Sequence, residues 1–190
     1  IGGTPYAGST RLLPIASGYA SNIFNGSIVS IVAAGTVEMV TVTGNGGGGA
    51  AASFPAGTIG VFVGCTYSDP VTGNLTFNQY WPSGTVAADA QAYIIDDPDV
   101  VFMAQADAAV TQADLGQNTH LAAAQSTTTG DTTNGNSNTA VDATTATTAT
   151  FAFRIVDFVD SPTSTVGDAF TDLLIKFNPG MHSYTNATGI

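Results

Sequence analysis

Short runs of β-branched and aromatic residues, separated by turn-forming residues, recur along most of this chain. The clearest runs are TIGVFVG from Thr58, LTFNQY from Leu75, TFAFRIV from Thr150 and LLIKF from Leu173. Apolar residues alternate within them, as expected of strands with one buried face. Gly, Pro, Asp and Asn between the runs favour turns. The pattern predicts an all-β fold, a compact β-barrel or sandwich with long polar loops.

Residues that favour exposed helices are almost missing from the chain. Glu38 is the single Glu, and the three cations are Arg11, Arg154 and Lys176. The polar residues of the chain are instead mainly Asp, Asn and Thr, with many Gly. These residues favour turns and strands over helix interiors. The composition therefore supports the all-β prediction independently of the strand pattern.

Three pairs of strands can be predicted individually. The segments 27–35 and 36–44 are expected to form two strands broken at Gly35. The segments 58–67 and 75–81 are expected to form a hairpin around the turn SDPVTGN. The strands AQAYII and VVFMAQA are expected to flank an acidic corner in which Pro98 cannot donate to a ladder.

The chain of 190 residues is long enough for one domain. Residues 1–25 are rich in Gly, Pro, Ser and Tyr and are expected to form an extended N-terminal arm; residues 26–190 are expected to form the barrel or sandwich. Deleting the arm is expected to leave a folded domain that docks more weakly. Residues 125–150 are low in complexity, with Val141 as their one bulky apolar residue, and predict an exposed loop or extended edge.

Charge argues against two classes of partner. The formal net charge is −11, and three scattered cations cannot form the basic groove that nucleic acid requires. The same charge disfavours binding to anionic membrane surfaces, and no apolar run approaches the length of a membrane span. We therefore expect neither nucleic acid nor a membrane as a partner.

An acidic corner is the strongest candidate for a metal site. Asp96, Asp97 and Asp99 could surround Ca²⁺, but the Gly and distal Glu of an EF-hand loop are missing. Asp-Pro turns are common without metal, so a plain turn is the preferred interpretation. Neighbouring carboxylates at a turn diverge, which disfavours a catalytic pair.

No other motif predicts chemistry. GNGGGG at 44–49 lacks the Lys-Ser or Lys-Thr of a phosphate-binding loop and is interpreted as a flexible tip. Cys65 is expected to be a buried, reduced thiol on a strand. His120 and His182 lie in no hydrolase or metal signature and are expected to form surface or interface hydrogen bonds. The sequence predicts no catalytic residue, no cofactor and no metal ligand, and hence no enzyme.

Several segments are similar to one family of virion proteins. They are IIDDPDVVFMAQ from Ile94, QADLGQN from Gln112, STTTG from Ser126, ATTATTATFAFRIVDFVDSP ending at Pro162, and LLIKFN followed by His182 and a terminal TGI. The chain thereby resembles, over about half its length, the capsid decoration or cement proteins of tailed bacteriophages, many of them marine or cyanobacterial.

The resemblance implies a structural role on the outer surface of the virion. Such a protein binds the major capsid protein and itself, as a homotrimer at local threefold positions, and stabilises contacts between coat subunits. The acidic composition is compatible with the outer face of the shell and not with its DNA-lined inner face.

Two alternatives remain open at the level of sequence. A phage fibre or adhesin module that contacts the host surface shares this composition, but a particle would carry few copies. A glycosidase on a β-sandwich would need two carboxylates in a cleft lined with aromatics. Trp81 is the only Trp, and Tyr80 beside it points to the opposite face of a strand, which makes a sugar platform hard to assemble.

Overall fold

The computed structural model describes residues 8, 10–41 and 54–190, which form ten strands. The strands are β1 (Arg11–Pro14), β2 (Ile28–Ile31), β3 (Val37–Met39), β4 (Thr58–Ser68), β5 (Leu75–Asn78), β6 (Gln91–Ile95), β7 (Phe102–Gln105), β8 (Asn118–Thr119), β9 (Phe153–Phe158) and β10 (Asp172–Phe177). The helical structure in these residues is one 3₁₀ turn, Gln112–Asp114. The prediction of an all-β fold is confirmed. The described residues contain no helix long and apolar enough to cross a membrane.

Two antiparallel sheets make up the fold. Sheet 1 has the order β1-β6-β4-β2-β3, and β5 also pairs with β4; sheet 2 has the order β7-β10-β9-β8. The predicted hairpin is confirmed, with Cys65 opposite Asn78 and Ser68 opposite Leu75. The strands on either side of the acidic corner are confirmed as well, but they belong to different sheets. The corner is therefore where the chain passes from sheet 1 to sheet 2.

The two sheets pack as a sandwich and do not close into a barrel. An inner core combines side chains of both sheets, such as Ile28 and Val61 from sheet 1 with Phe153, Leu173 and Ile175 from sheet 2. Sheet 2 is therefore buried on one face, which its alternating burial pattern reflects. Of the two architectures predicted, the sandwich is the one that forms.

A second, outer core covers the opposite face of sheet 1. Its strand residues include Ile59, Phe62 and Ile94, and loops supply the fully buried Ile23 and Trp81. Because both faces of sheet 1 are covered over its centre, β4 is buried along nearly its whole length. This explains why its sequence is apolar almost throughout.

Part of the segment expected to be an arm belongs to sheet 1 and the outer core. From Arg11 to Pro14 the chain forms an edge strand on β6, with Leu12 opposite Tyr93. Ile15 is 3% exposed, and Ile23 and Phe24 are fully buried. The described part of the arm thus packs on this chain's own core, so its deletion would remove core side chains as well as any docking contacts.

Gly60 allows β4 to approach β6 closely. Its φ is +143°, and a Cβ at this position would lie 2.0 Å from the carbonyl oxygen of Ile95. The pairing of β4 with both neighbours also shifts register, next to Val29 in β2 and between Phe62 and Gly64. Only glycine fits this conformation and this spacing.

Gln125, in the low-complexity segment, bridges β2 and the residue after β3 at the end of their ladder, at the edge of sheet 1. Its side chain is 1% exposed. Its Nε2 donates to the carbonyl oxygens of Ile28 (3.0 Å) and Val40 (2.9 Å), and its Oε1 accepts from the Ile28 amide (2.8 Å). Val141 is also buried, in the inner core. The expectation that this segment lies outside the core is wrong for these two residues.

Replacing Gln125 tests this account of the sheet edge. We expect Gln125→Leu to lower the free energy of unfolding by about 3 kcal/mol, since it leaves buried backbone groups of Ile28 and Val40 without partners. The matched control Gln112→Leu, at an exposed position, should change it by less than about 0.5 kcal/mol. Chemical denaturation measures both. Equal, small effects of the two substitutions would show that Gln125 does not hold the edge.

Candidate functional site

The three carboxylates of the acidic corner have different partners. The Tyr184 hydroxyl donates to Asp96 (2.6 Å), and the Arg11 guanidinium lies 3.6 Å from the same carboxylate. Asp97 accepts from the amide of Asp99 (2.8 Å), as in an Asx turn. Asp99 pairs with Lys176 at 2.5 Å, and the ammonium group lowers the pKa of the Asp99 carboxyl. The corner thus ties β1, β10 and the C-terminal segment together.

The same geometry bears on the calcium hypothesis. Ca²⁺ needs six to eight oxygen ligands directed at one point. Across the described ranges, no group of three His, Cys, Asp or Glu side chains is placed to hold a metal ion. The arrangement at the corner is that of a structural turn with two ion pairs at its ends.

Cys65 is buried on β4, as predicted. The side chain is fully buried, and its sulfur lies 3.4 Å from the carbonyl oxygen of Tyr80 and 3.7 Å from that of Asn78. Burial raises the pKa of the thiol to about 12. A thiol that is inaccessible and protonated is a poor nucleophile, so Cys65 serves as a core residue.

Both histidines are buried, and the expectation of surface positions is wrong. His120 is 1% exposed and packs against Phe54 and Phe151, with ring centroids 5.4 and 6.0 Å away. His182, also 1% exposed, has its Nε2 2.8 Å from the Ile59 carbonyl oxygen, and its Nδ1 accepts from the Tyr184 amide. These contacts define the neutral tautomer with the proton on Nε2. The ring anchors the C-terminal segment to β4.

Two other candidate features can be placed. The glycine-rich segment 44–49 lies outside the described residues. Trp81 is fully buried in the outer core, with its ring edge against Tyr67, and Tyr80 stacks on Phe24. Since these rings pack inside the protein, Trp81 is not available as a platform for a sugar.

An apolar strip lies exposed on sheet 1 and was not predicted as a site. It consists of Leu12 (51% exposed), Leu75 (75%), Phe77 (65%) and the half-buried Tyr93. Leu12 lies opposite Tyr93 in the sheet, and the rings of Phe77 and Tyr93 have centroids 5.8 Å apart. In the sequence, apolar residues alternate with others in β1 and β5. This alternation shows that the strands have two different faces, but it does not show which face is exposed.

The apolar strip continues the face of sheet 1 that packs against sheet 2. Ile95 and Tyr93 are two residues apart and so share a face, and Ile95 lies opposite Val61 of the inner core. Sheet 2 covers one end of this face and leaves the strip open. The register places the uncharged Gly64, Thr66, Ser68 and Gln91 beside it. The Asp89 carboxylate, which accepts from the Ser68 hydroxyl, lies next to the Leu75 end of the strip. In a chain of net charge −11, this is a face whose strand residues another protein can cover without burying carboxylates among them.

The buried position of His182 predicts a dependence of stability on pH. Burial lowers the pKa of His182 below its ordinary value of 6.5 in the folded state. Between the folded and unfolded pKa values the unfolded chain binds more protons, so the free energy of unfolding is highest above pH 6.5 and decreases as the pH falls below it. One such group changes it by at most about 1.4 kcal/mol per pH unit.

Urea denaturation between pH 7.5 and 5 measures this dependence. We expect His182→Gln, which retains a donor toward Ile59 but cannot titrate, to flatten the profile in this range. Carboxyl groups with a lowered pKa, such as that of Asp99, titrate at lower pH. They therefore do not contribute to the difference between wild type and His182→Gln in this range. Direct titration of the imidazole signals by NMR with a pKa of 6.5 or more for His182 would contradict the assignment.

Comparison of this chain with protein-family models, with curated proteins and with solved structures returns no match. Neither a relative nor a structural neighbour thus contributes to the assignment of a function.

Proposed function

We propose that this protein is a capsid decoration, or cement, subunit of a tailed bacteriophage. It binds the outer face of the head and stabilises contacts between major capsid proteins, and it acts as a homotrimer. The observation that carries the proposal is the uncharged apolar strip of Leu12, Leu75, Phe77 and Tyr93 on an otherwise acidic molecule. The resemblance of the segments from Ile94 onward to cement proteins supplies the biological setting.

The strip is the contact between copies in this proposal. Like-charged molecules repel, and burying unpaired carboxylates between them costs several kcal/mol. Copies of a chain with 14 acidic and three basic side chains therefore associate best through a face without charge. Aromatic and aliphatic side chains at more than half exposure, such as Phe77 and Leu75, are the residues whose burial stabilises such contacts. A closed symmetric trimer covers the strip on every copy.

The sandwich suits a passive, load-bearing role. Sheet 1 carries a core on each of its faces, and the corner at Asp96 and Asp99 connects the sheets through two ion pairs. Such a rigid body can hold its outward faces in constant relative positions, as a subunit that ties coat proteins together requires.

Copy number is the direct test of the proposal. Quantitative mass spectrometry of purified particles should find the protein in hundreds of copies, in a fixed ratio to the coat protein. A few copies per particle would contradict a cement role and favour a fibre or adhesin module.

The strip itself can be tested by one substitution. We expect Phe77→Asp to raise the concentration needed for half-maximal decoration of undecorated heads at least tenfold, because a carboxylate would be buried between copies. The matched control is Val71→Asp, which adds the same charge in the turn of the same hairpin, at a side chain 91% exposed. Cosedimentation with heads measures both, and thermal unfolding checks the fold. Equal decoration by the two variants would show that the strip is not the contact between copies.

A further inference from the structure

Two of the three cations lie side by side on the outer face of sheet 2. Arg154 of β9 is directly opposite Lys176 of β10. Like charges in directly opposed positions destabilise a sheet. A carboxylate between them would remove the repulsion, yet the one carboxylate of the described residues that pairs with either cation is Asp99, on Lys176. Arg154, Lys176 and Asp99 together thus carry one net positive charge on an acidic protein.

Arg154 is held in place, and no carboxylate of the described residues pairs with it. Its Nε donates to the Oδ1 of Asn118 (3.2 Å). Asn118 is 5% exposed, and its Nδ2 donates to the carbonyl oxygen of Thr148 (3.1 Å), which defines the orientation of the amide. Among the described residues the ion pairs are those of Arg11 with Asp96 and of Lys176 with Asp99. The two terminal nitrogens of Arg154 therefore offer a planar pair of donors, the geometry that binds a carboxylate through both oxygens.

A cleft lies over this pair. Its volume is about 250 Å³, and its lining includes Pro98, Val156, Asn178, Thr185 and the acidic Asp99. Asp99 is 82% exposed in its pair with Lys176, and exposed pairs of this kind contribute little to stability. An incoming carboxylate can therefore bind Lys176 together with Asp99. It can also bind Arg154, for which no carboxylate of the described residues competes.

Apolar side chains and two carboxylates share this face with the cations: Asp157 lies opposite Leu174, and Asp172 lies two residues before Leu174 in β10. Met103 is 69% exposed and lies opposite Leu174 in the sheet, and Val156 is 45% exposed. A free small anion would leave these side chains in water, whereas a protein surface would cover them. An Arg at the edge of an exposed apolar patch is typical of a protein interface.

We infer that the Arg154–Lys176 cleft binds an aspartate or glutamate side chain of the partner protein. Under the proposed function, on which this inference rests, the partner is a coat subunit, and the outer face of sheet 2 is the face directed at the shell. Charge complementarity here is local, because one carboxylate of the coat meets two cations in the cleft, whereas Asp157 and Asp172 on the same face repel a larger acidic patch. The strip on sheet 1 then remains for contacts between copies.

The carboxylate preference is tested on the isolated protein. Propionate, an analogue of the glutamate side chain, is titrated while NMR follows the Arg154 Nε–H signal. We expect a saturable shift that Arg154→Gln abolishes and Arg154→Lys weakens several-fold, because lysine cannot bind both oxygens. Arg11→Gln, the same charge change at a cation already paired with Asp96, should leave the shift intact. No saturable shift, or tighter binding of inorganic phosphate than of propionate, would overturn the carboxylate assignment.

Decoration of heads tests the partner. We expect Arg154→Gln to weaken decoration at least tenfold and to reduce its dependence on salt, with Arg11→Gln close to the wild type. Normal decoration by Arg154→Gln would overturn the inference. A variant that docks on heads but no longer self-associates in sedimentation would overturn it too, because the partner would then be a second copy of this chain. A wild-type protein that binds propionate but not heads would contradict the proposed function and the coat as partner, while the carboxylate site would stand.

Discussion

The structure depends on one strand, β4, which is buried on both faces and paired on both edges. β6 lies on one side of it, and β2 and β5 share the other. Val61 belongs to the inner core, while Ile59, Phe62 and Cys65 belong to the outer core. Both cores are therefore organised around the same eleven residues. A strand in this position must be largely apolar, and the close approach at Gly60 requires a residue without a side chain.

The central position of β4 also determines which surfaces remain for partners. Sheet 2 covers only one end of one face of sheet 1, and loops cover the other face, so the apolar strip is left open beside β4. Sheet 2 in turn has one buried and one outward face, and the outward face carries Arg154 and Lys176. The strand residues of the strip are uncharged, whereas the outward face of sheet 2 carries charges of both signs, so the two faces suit different partners.

The sequence predicted where individual strands lie better than it predicted which residues pack or bond together in the fold. The strands around 58–78, the strands on either side of the corner at Asp96 and the buried Cys65 are confirmed, because each depends on local alternation. The contributions of Ile23 and Phe24 were not predicted, since single buried residues in a loop have no period. Gln125 could not be recognised either, because a polar residue in a polar segment gives no sign of which backbone groups it will satisfy.

The candidate sites show the same division. The acidic corner was found from its sequence, but its role as a junction depends on Arg11, Tyr184 and Lys176, which are distant in the chain. The burial of the histidines could not be predicted, because their partners are backbone groups or rings far away in sequence, such as Ile59 for His182. Without a visible partner, a polar side chain is expected at the surface. The strip and the Arg154–Lys176 cleft exist only once strands from different parts of the chain are paired.

A reconstruction of the decorated particle by electron cryomicroscopy, at a resolution that separates strands, would show how the copies are arranged on the head. We expect three copies around each local threefold position, with the strip of Leu12, Leu75, Phe77 and Tyr93 between copies and the outer face of sheet 2 against the coat. Isolated copies without a neighbour of their own kind, or a sheet 2 that faces solvent, would contradict this expectation.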